Sequence, residues 1–178
     1  MRQIVLLRGI NLGPRNRVPM AELREVLAGA GFDDVATYLQ SGNVVLTSGG
    51  KPDALARKCE RLIADSFGLD IAVVVRTRNE LARIVEHNPL GDVAKNPKRY
   101  QVSFLSAKLP KKKVDELAAL AVKSERLVAS GRELYAWHPD GVARSKLWAA
   151  LAGRNLGVTA TARNWTTVTS LLEMADAD

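Results

Sequence analysis

The sequence predicts an α/β (α+β) protein made of two tandem β-α-β-β-α-β units, each followed by an extra helix. Two observations predict this class. Strand-like and helix-like spacings of apolar residues follow one another in that order, and the second half of the chain repeats the order of the first. With 178 residues and 47% hydrophobic content, the chain can bury a sizeable core. We therefore expect one compact domain with an internal duplication.

In the first half, apolar runs and turn residues delimit four strands and two helices. The helices begin at Pro19 and Pro52, which suit a first helical turn, and end at Gly31 and Gly68. Ser41-Gly42-Asn43 predicts a tight hairpin between the second and third strands. The four strands are predicted at residues 3–8, 35–40, 44–47 and 71–76.

The second half shows the same order of elements. Pro110 begins a helix 91 positions after Pro19, and Ser130-Gly131 follows Ser41-Gly42 by 89 positions. A second helix is predicted over 145–153. The strands of this half are predicted at residues 100–105, 124–130, 133–137 and 158–162. The repeat indicates that each half is a ferredoxin-like unit.

An extra helix follows the last strand of each unit, one after Arg76-Thr77 and one after Arg163-Asn164. We therefore predict a first half over 1–87, a polar linker over 88–99, and a second half over 100–178.

The topology of this unit predicts which loops meet. Its first two strands run parallel, so the loop after the first strand and the hairpin after the second leave the same end of the sheet. Residues 8–17 should therefore lie near residues 40–43, and residues 106–113 near residues 130–132. Both ends are candidate sites.

Charge and cysteine content limit the partners and the compartment. The formal net charge is +7, which favours anionic partners such as nucleic acid. Cys59 is the single cysteine, so an intrachain disulfide is impossible and a reducing cytoplasm is the expected location. Because no apolar span approaches 18 residues, we expect no membrane among the partners. We also expect no metal and no cofactor.

The second candidate site is strongly basic. Residues 95–113 contain seven cationic side chains and no carboxylate. Clustered cations of this kind are typical of polyanion binding. The polyanion-binding candidates at this end of the sheet are Lys108, Lys111, Lys112, Lys113, Arg132 and Arg154.

The first candidate site joins a glycine-containing loop to a hairpin. A strand that leads through Gly9 and Gly13 to a helix start could direct main-chain N–H groups at an anion. The alternative is purely structural, because glycine, serine and asparagine are also what loops and tight turns select. The ligand-binding candidates here are Arg8, Asn11, Arg17, Gln40, Ser41 and Asn43.

At these loops the chain resembles a known bacterial family. The segments that carry the resemblance are Leu6-Leu7-Arg8-Gly9-Ile10-Asn11-Leu12-Gly13, Thr37-Tyr38-Leu39-Gln40-Ser41-Gly42-Asn43 and Arg163-Asn164-Trp165-Thr166. They are similar to the family called domain of unknown function 1697. The resemblance implies a two-part fold of ferredoxin-like units, and it implies no activity.

The remaining polar and aromatic residues favour structural roles. We expect His87 and His138 at the surface or at helix ends, and Cys59 in the core. Arg76 and Arg163 end equivalent strands and either bind anions or tie the two halves together through carboxylates. Phe104, Tyr135 and Trp137 either form a stacking platform for RNA bases or pack in the core.

Three functions remain open at this point. The favoured one is binding of a polyanion, possibly nucleic acid, through the basic loops. The alternatives are an enzyme or sensor for a small anionic metabolite at the 8–17 loop and 40–43 hairpin, and a protein-interaction or homodimer module. The residues predict no specific reaction, and whether the protein is an enzyme stays open.

Overall fold

The computed structural model describes residues 1–177. The elements of the first half are β1 (Arg2–Leu7), α1 (Met20–Gly29), β2 (Asp33–Tyr38), β3 (Asn43–Thr47), α2 (Pro52–Phe67), β4 (Val73–Thr77) and α3 (Arg78–His87). Those of the second are β5 (Tyr100–Leu105), α4 (Lys111–Ala118), β6 (Arg126–Ser130), β7 (Glu133–Trp137), α5 (Lys146–Ala152), β8 (Ala160–Asn164) and α6 (Trp165–Asp176). The predicted fold class is confirmed: each half is a β-α-β-β-α-β unit with an extra helix.

Each half forms a four-stranded antiparallel sheet with the same order. The orders are β2-β3-β1-β4 and β6-β7-β5-β8, so β1 and β5 are the central strands. In the first sheet Val5 lies between Val44 and Val75, which are its partners on either side. Because β1 and β2 are both antiparallel to β3, they are parallel to each other. This is the ferredoxin-like arrangement that the sequence predicts.

The chain is divided into two compact units. The first comprises residues 1–84 together with the end of the chain from Ser170, and the second comprises residues 85–169. The segment 88–99 is bonded within the second unit, since Trp165 N donates to the carbonyl of Pro97 at 3.1 Å. The boundaries between the units fall inside α3 and α6. The predicted domain ranges stay a prediction.

One face of each sheet is covered by its two helices. In the first unit the apolar positions of β1, β3 and β4 pack against α1 and α2, and Cys59 lies in this core, 1% exposed, as predicted. Burial raises the pKa of the Cys59 thiol to about 12 and so keeps it unreactive. In the second unit the corresponding core joins Leu105, Leu134 and Ala160 to Leu117 and Leu147. No helix within residues 1–177 is long and apolar enough to cross a membrane.

Main-chain hydrogen bonds gather three loops at the end of each central strand. In the first unit Leu7 N donates to Gly42 O and Arg8 N donates to Ala72 O, both at 2.9 Å. The second unit repeats the pair: Leu105 N donates to Arg132 O and Ser106 N to Thr159 O, again at 2.9 Å. The loops therefore meet as the topology predicts.

Most strand ends differ from the predicted bounds by one or two residues, and two of these differences have a clear local cause. The second strand ends at Tyr38 because Leu39 has a left-handed conformation, with φ 58°, and turns the chain. The sixth strand begins at Arg126, since Glu125 N donates to Val122 O in the preceding turn.

The hairpin glycine of the first unit is fixed by space as well as by backbone angle. Gly42 has φ 88°, and a Cβ there would lie 2.7 Å from Ile10 Cδ1 and 2.8 Å from Leu7 Cβ. The equivalent Gly131 has φ 57° and nothing within 4 Å of such a Cβ. The two positions differ in packing and share the left-handed conformation.

We expect Gly42→Ala to lower the free energy of unfolding by about 2–4 kcal/mol, because it adds a steric clash to the left-handed strain. Gly131→Ala carries the strain alone and should cost about 1 kcal/mol. Urea unfolding of both variants measures the difference. Equal losses would show that Ile10 does not pack against the hairpin.

Candidate functional site

The largest described cleft of the second unit lies between the β5–α4 loop and the β6–β7 hairpin. It has a volume of about 770 Å³ and is open to solvent. Its lining combines apolar side chains with two lysines: Leu105, Lys108, Leu109, Pro110, Lys111, Val114, Asp115, Ala129, Ser130, Gly131 and Leu134. We call this site the basic cleft. It lies where the sequence predicts that residues 106–113 and 130–132 meet.

Two lysines, Lys108 and Lys111, line the basic cleft, and Lys112 and Lys113 follow them in α4. Within residues 1–177 the ammonium groups of Lys108 and Lys112 have no carboxylate or hydrogen-bond partner, and both side chains are exposed. Lys111 is paired with Asp115 at 2.7 Å, and Lys113 with Glu116 at 3.8 Å. Exposed ion pairs of this kind contribute little to stability, so a phosphate group can compete for the lysines.

The two arginine candidates of this end lie on neighbouring loops. Arg132 is half-exposed in the β6–β7 hairpin, next to Gly131 of the cleft wall. Arg154 is exposed in the loop between α5 and β8, the same loop in which Thr159 bonds Ser106. Neither side chain lines the cleft itself. Their predicted role in polyanion binding stays a prediction.

The basic run 95–113 does not form one continuous patch, because β5 divides it. Lys95, Lys98 and Arg99 precede this strand, whereas Lys108 and the lysines of α4 follow it. A six-residue strand is about 20 Å long, so the two groups of cations lie at opposite ends of the sheet. The side chain of Arg99 donates there to the carbonyl of Pro139.

In the first unit the Asn11 side chain links the 8–17 loop to the hairpin by hydrogen bonds. Its amide nitrogen donates to the carbonyls of Val18 at 2.9 Å and Gln40 at 2.7 Å, and its amide oxygen accepts from Val18 N at 2.9 Å. Asn11 itself has φ 55°. Its polar atoms therefore hold main chain together.

Asn43 has a similar structural role inside the hairpin. It is fully buried, and its amide nitrogen donates to Tyr38 O at 2.7 Å and to Ser41 Oγ at 2.9 Å. The structure thus brings all six ligand-binding candidates to one end of the sheet. Those with exposed side chains are Arg17, Gln40 and Ser41, and Arg8 is half-exposed.

Arg76 and Arg163 are both buried, at 2% and 7% exposure. The guanidinium of Arg76 donates to Val75 O at 3.0 Å. That of Arg163 donates to Thr161 Oγ1 at 2.6 Å and to Ala162 O at 2.8 Å, and burial lowers its pKa to about 10. Whether these arginines bind anions or tie the halves together stays a prediction.

The expectation of a surface role for His138 is wrong. His138 is fully buried, and its Nδ1 lies 2.5 Å from Oε2 of Glu125, which is also buried. Ser145 Oγ donates to the same oxygen at 2.6 Å. The hairpin register could have revealed this cluster. Because Ser130 pairs with Glu133 and Arg126 with Trp137, position 125 falls opposite position 138.

The geometry of this cluster does not form a catalytic triad. Ser145 and Glu125 both approach Nδ1 of His138, while its Nε2 is buried with no partner among the described residues. Ser145 Oγ also accepts from Trp148 N at 3.0 Å and so caps α5. A nucleophilic serine needs the opposite ring nitrogen of a histidine that is held by an acid. We therefore assign the cluster a structural role.

Within residues 1–177 no group of three or more His, Cys, Asp or Glu is placed to hold a metal.

Three of the four aromatic side chains of the second sheet are buried, and the fourth, Trp137, is half-exposed. Phe104 and Tyr135 are each 1% exposed, so they are not available to stack on a base. Tyr100 stacks on Trp165 with ring centroids 4.7 Å apart. The packing interpretation of Phe104 and Tyr135 is therefore correct.

Burial pushes the pKa of Glu125 upward, but hydrogen bonds from Ser145 and His138 outweigh this effect and hold the pKa below its usual value. A carboxylate whose folded-state pKa is lowered stabilises the fold at neutral pH. It loses that contribution as pH falls below about 4.3 toward the folded-state pKa.

We expect Glu125→Gln to flatten the fall in the free energy of unfolding between about pH 5 and pH 3. Glu25→Gln, at an exposed position on α1, is the control and should leave the slope unchanged. Equal slopes for all three proteins would contradict this account.

Comparisons with known proteins place the chain in a family. The family described as "Protein of unknown function (DUF1697)" matches residues 1–135. Among solved structures, the conserved bacterial protein SP0830 from Streptococcus pneumoniae is 24% identical, with a TM-score of 0.80 over 98% of each chain, which shows a shared fold. No curated protein matches the sequence. The chain belongs to the DUF1697 family, as its loop motifs indicate.

Proposed function

We propose that this protein binds a polyanion, single-stranded nucleic acid, at the basic cleft. The observation that carries the proposal is an open cleft at the end of the second sheet. Its lining consists mainly of apolar residues and includes Lys108 and Lys111. Lys108 comes from the loop after β5, and Lys112 from the first turn of α4. A loop and a helix start therefore supply cations in the cleft lining, Lys108 and Lys111, and immediately beside it in the chain, Lys112.

The distribution of charge favours a polymer over a small anion. The lysines occupy separate positions in the loop after β5 and in the first turn of α4, and Lys108, Lys111 and Lys112 are exposed. A small anion is bound by a few hydrogen-bond donors that converge on one point. Cations spread along a groove instead neutralise successive phosphates of a polymer. Weak pairing of Lys111 and Lys113 with their helix neighbours leaves them able to exchange partners.

The apolar lining of the cleft favours binding of single strands over binding of duplexes. Pro110 and Val114 offer apolar surface that an unpaired base can cover, whereas the bases of a duplex are stacked inside it. A duplex presents only its backbone to such a cleft. Single strands therefore gain the apolar contact in addition to the phosphate contacts.

The alternative of a small anionic metabolite at the 8–17 loop has weaker support. The amide groups of Asn11 and Asn43 bind main chain and are not directed at a ligand. A cytoplasmic location is part of the proposal, and the buried, unpaired Cys59 supports it.

The test is fluorescence anisotropy of single-stranded RNA across a salt series, with Lys108→Glu, Lys112→Glu compared with wild type. We expect affinity to fall by about tenfold or more at physiological salt. The slope of log K against log salt should become shallower by about 1.4, because each single-strand phosphate contact contributes about 0.7.

The matched control is Lys95→Glu, Lys98→Glu, which changes the net charge equally at the other end of β5. It should lower affinity by less than about threefold. Equal losses in both double variants would show that net charge alone attracts the RNA. Tight binding by the Lys108→Glu, Lys112→Glu protein would overturn the proposal.

A further inference from the structure

The end of the first unit carries two leucines that folding leaves in solvent. Leu12, in the 8–17 loop, is 86% exposed, and Leu39, before the hairpin turn, is 55% exposed. They flank the hydrogen bond from Asn11 to the carbonyl of Gln40, which holds the two segments together. We call Leu12, Leu39, Arg15 and Arg17 the loop tip.

Leu39 is also in an unfavourable conformation. Its φ of 58° is left-handed, a region that leucine rarely adopts and that glycine or asparagine tolerates better. Burial does not compensate for this strain, because the side chain is mostly exposed. The left-handed leucine therefore carries a local conformational cost that contacts within the chain do not offset.

The charge of the loop tip limits the kind of surface that it can contact. Residues 8–17 contain three arginines and residues 38–43 contain no charged residue, so no carboxylate lies in either segment. Arg15 and Arg17 are exposed in the same loop as Leu12. A second copy of the chain would bring arginines against arginines, so charge favours an anionic surface.

The shape and bonding of the loop tip favour a lipid surface over a protein. A side chain as exposed as Leu12 protrudes, so a protein partner would have to supply a matching pocket, whereas a bilayer accommodates any protruding apolar group. The loop also satisfies much of its main chain internally: Asn11 N donates to Asn16 O at 3.0 Å, and Asn16 bonds the carbonyl of Gly9. Entry into the headgroup region therefore leaves those groups paired.

We propose that the loop tip binds anionic lipid surfaces peripherally, with Leu12 and Leu39 inserted below the headgroups and Arg15 and Arg17 at the phosphates. This contact involves no spanning segment. The expectation that no membrane is among the partners rests on the lack of a long apolar span, and a peripheral contact needs no such span. Each arginine near such a surface and each inserted leucine adds only modestly to the free energy of binding. Binding is therefore reversible, and salt weakens it.

The test is sedimentation with vesicles of equal parts phosphatidylglycerol and phosphatidylcholine, and with pure phosphatidylcholine vesicles. All proteins carry Lys108→Glu and Lys112→Glu, so that the basic cleft contributes little to vesicle binding and contributes equally in every variant. We expect binding to the anionic vesicles alone, and Leu12→Asn, Leu39→Asn to lower the partition coefficient by about tenfold or more. The matched control, Leu120→Asn, Val122→Asn, removes exposed apolar side chains of the second unit and should change it less than about twofold.

Stability separates a binding defect from misfolding. Because asparagine tolerates the left-handed angle, Leu39→Asn should keep or raise the midpoint of thermal unfolding while it weakens vesicle binding. Three results would overturn the proposal: no binding to the anionic vesicles, equal binding by the loop-tip variant and its parent, or equal losses in the loop-tip and control variants.

Discussion

The arrangement of both candidate surfaces depends on two main-chain hydrogen bonds that occur in each unit. The last residue of the central strand, Leu7 or Leu105, donates to the hairpin, and the next residue donates to the segment before the edge strand. These bonds exist because the strand order places the central strand between the returning strand of the hairpin and the edge strand. Three connections therefore converge at one end of each sheet whatever their sequences are. The backbone determines where a site can form, and the side chains of the loops determine its chemistry.

The two units use this shared framework differently. In the first, asparagine amides close the loop against the hairpin, and Gly42 allows Ile10 to pack directly on the turn, so the loop projects a compact tip. In the second, the hairpin glycine has open space around it, and a cleft forms between hairpin and helix with lysines beside it. The same loop positions thus give a protruding surface in one unit and a concave one in the other. Duplication followed by change at the loops accounts for this difference in physical terms.

Much of the fold follows from local sequence signals. Proline at helix starts, glycine at helix ends and the Ser-Gly turns predict the elements, and strand order then predicts which loops meet. The partners of polar side chains were harder to foresee. Asn11 and Asn43 have the composition of a ligand site, yet their amides bond main chain that only the folded loop brings near. His138 has the polarity of a surface residue, and only the hairpin register places Glu125 opposite it. Local patterns of composition do not predict such pairings, because the pairings depend on the conformation of the folded loop and on the strand register.

The central claim is that the loops at the end of β5, and not the overall charge, bind single-stranded nucleic acid. Hydrogen–deuterium exchange of the wild-type protein with and without single-stranded RNA tests it most directly. The account predicts slower exchange in residues 106–113 and 130–132, which border the basic cleft, and no change in residues 95–99 at the opposite end of the strand. Protection of 95–99 equal to that of 106–113, or no protection of either at saturating RNA, would contradict it.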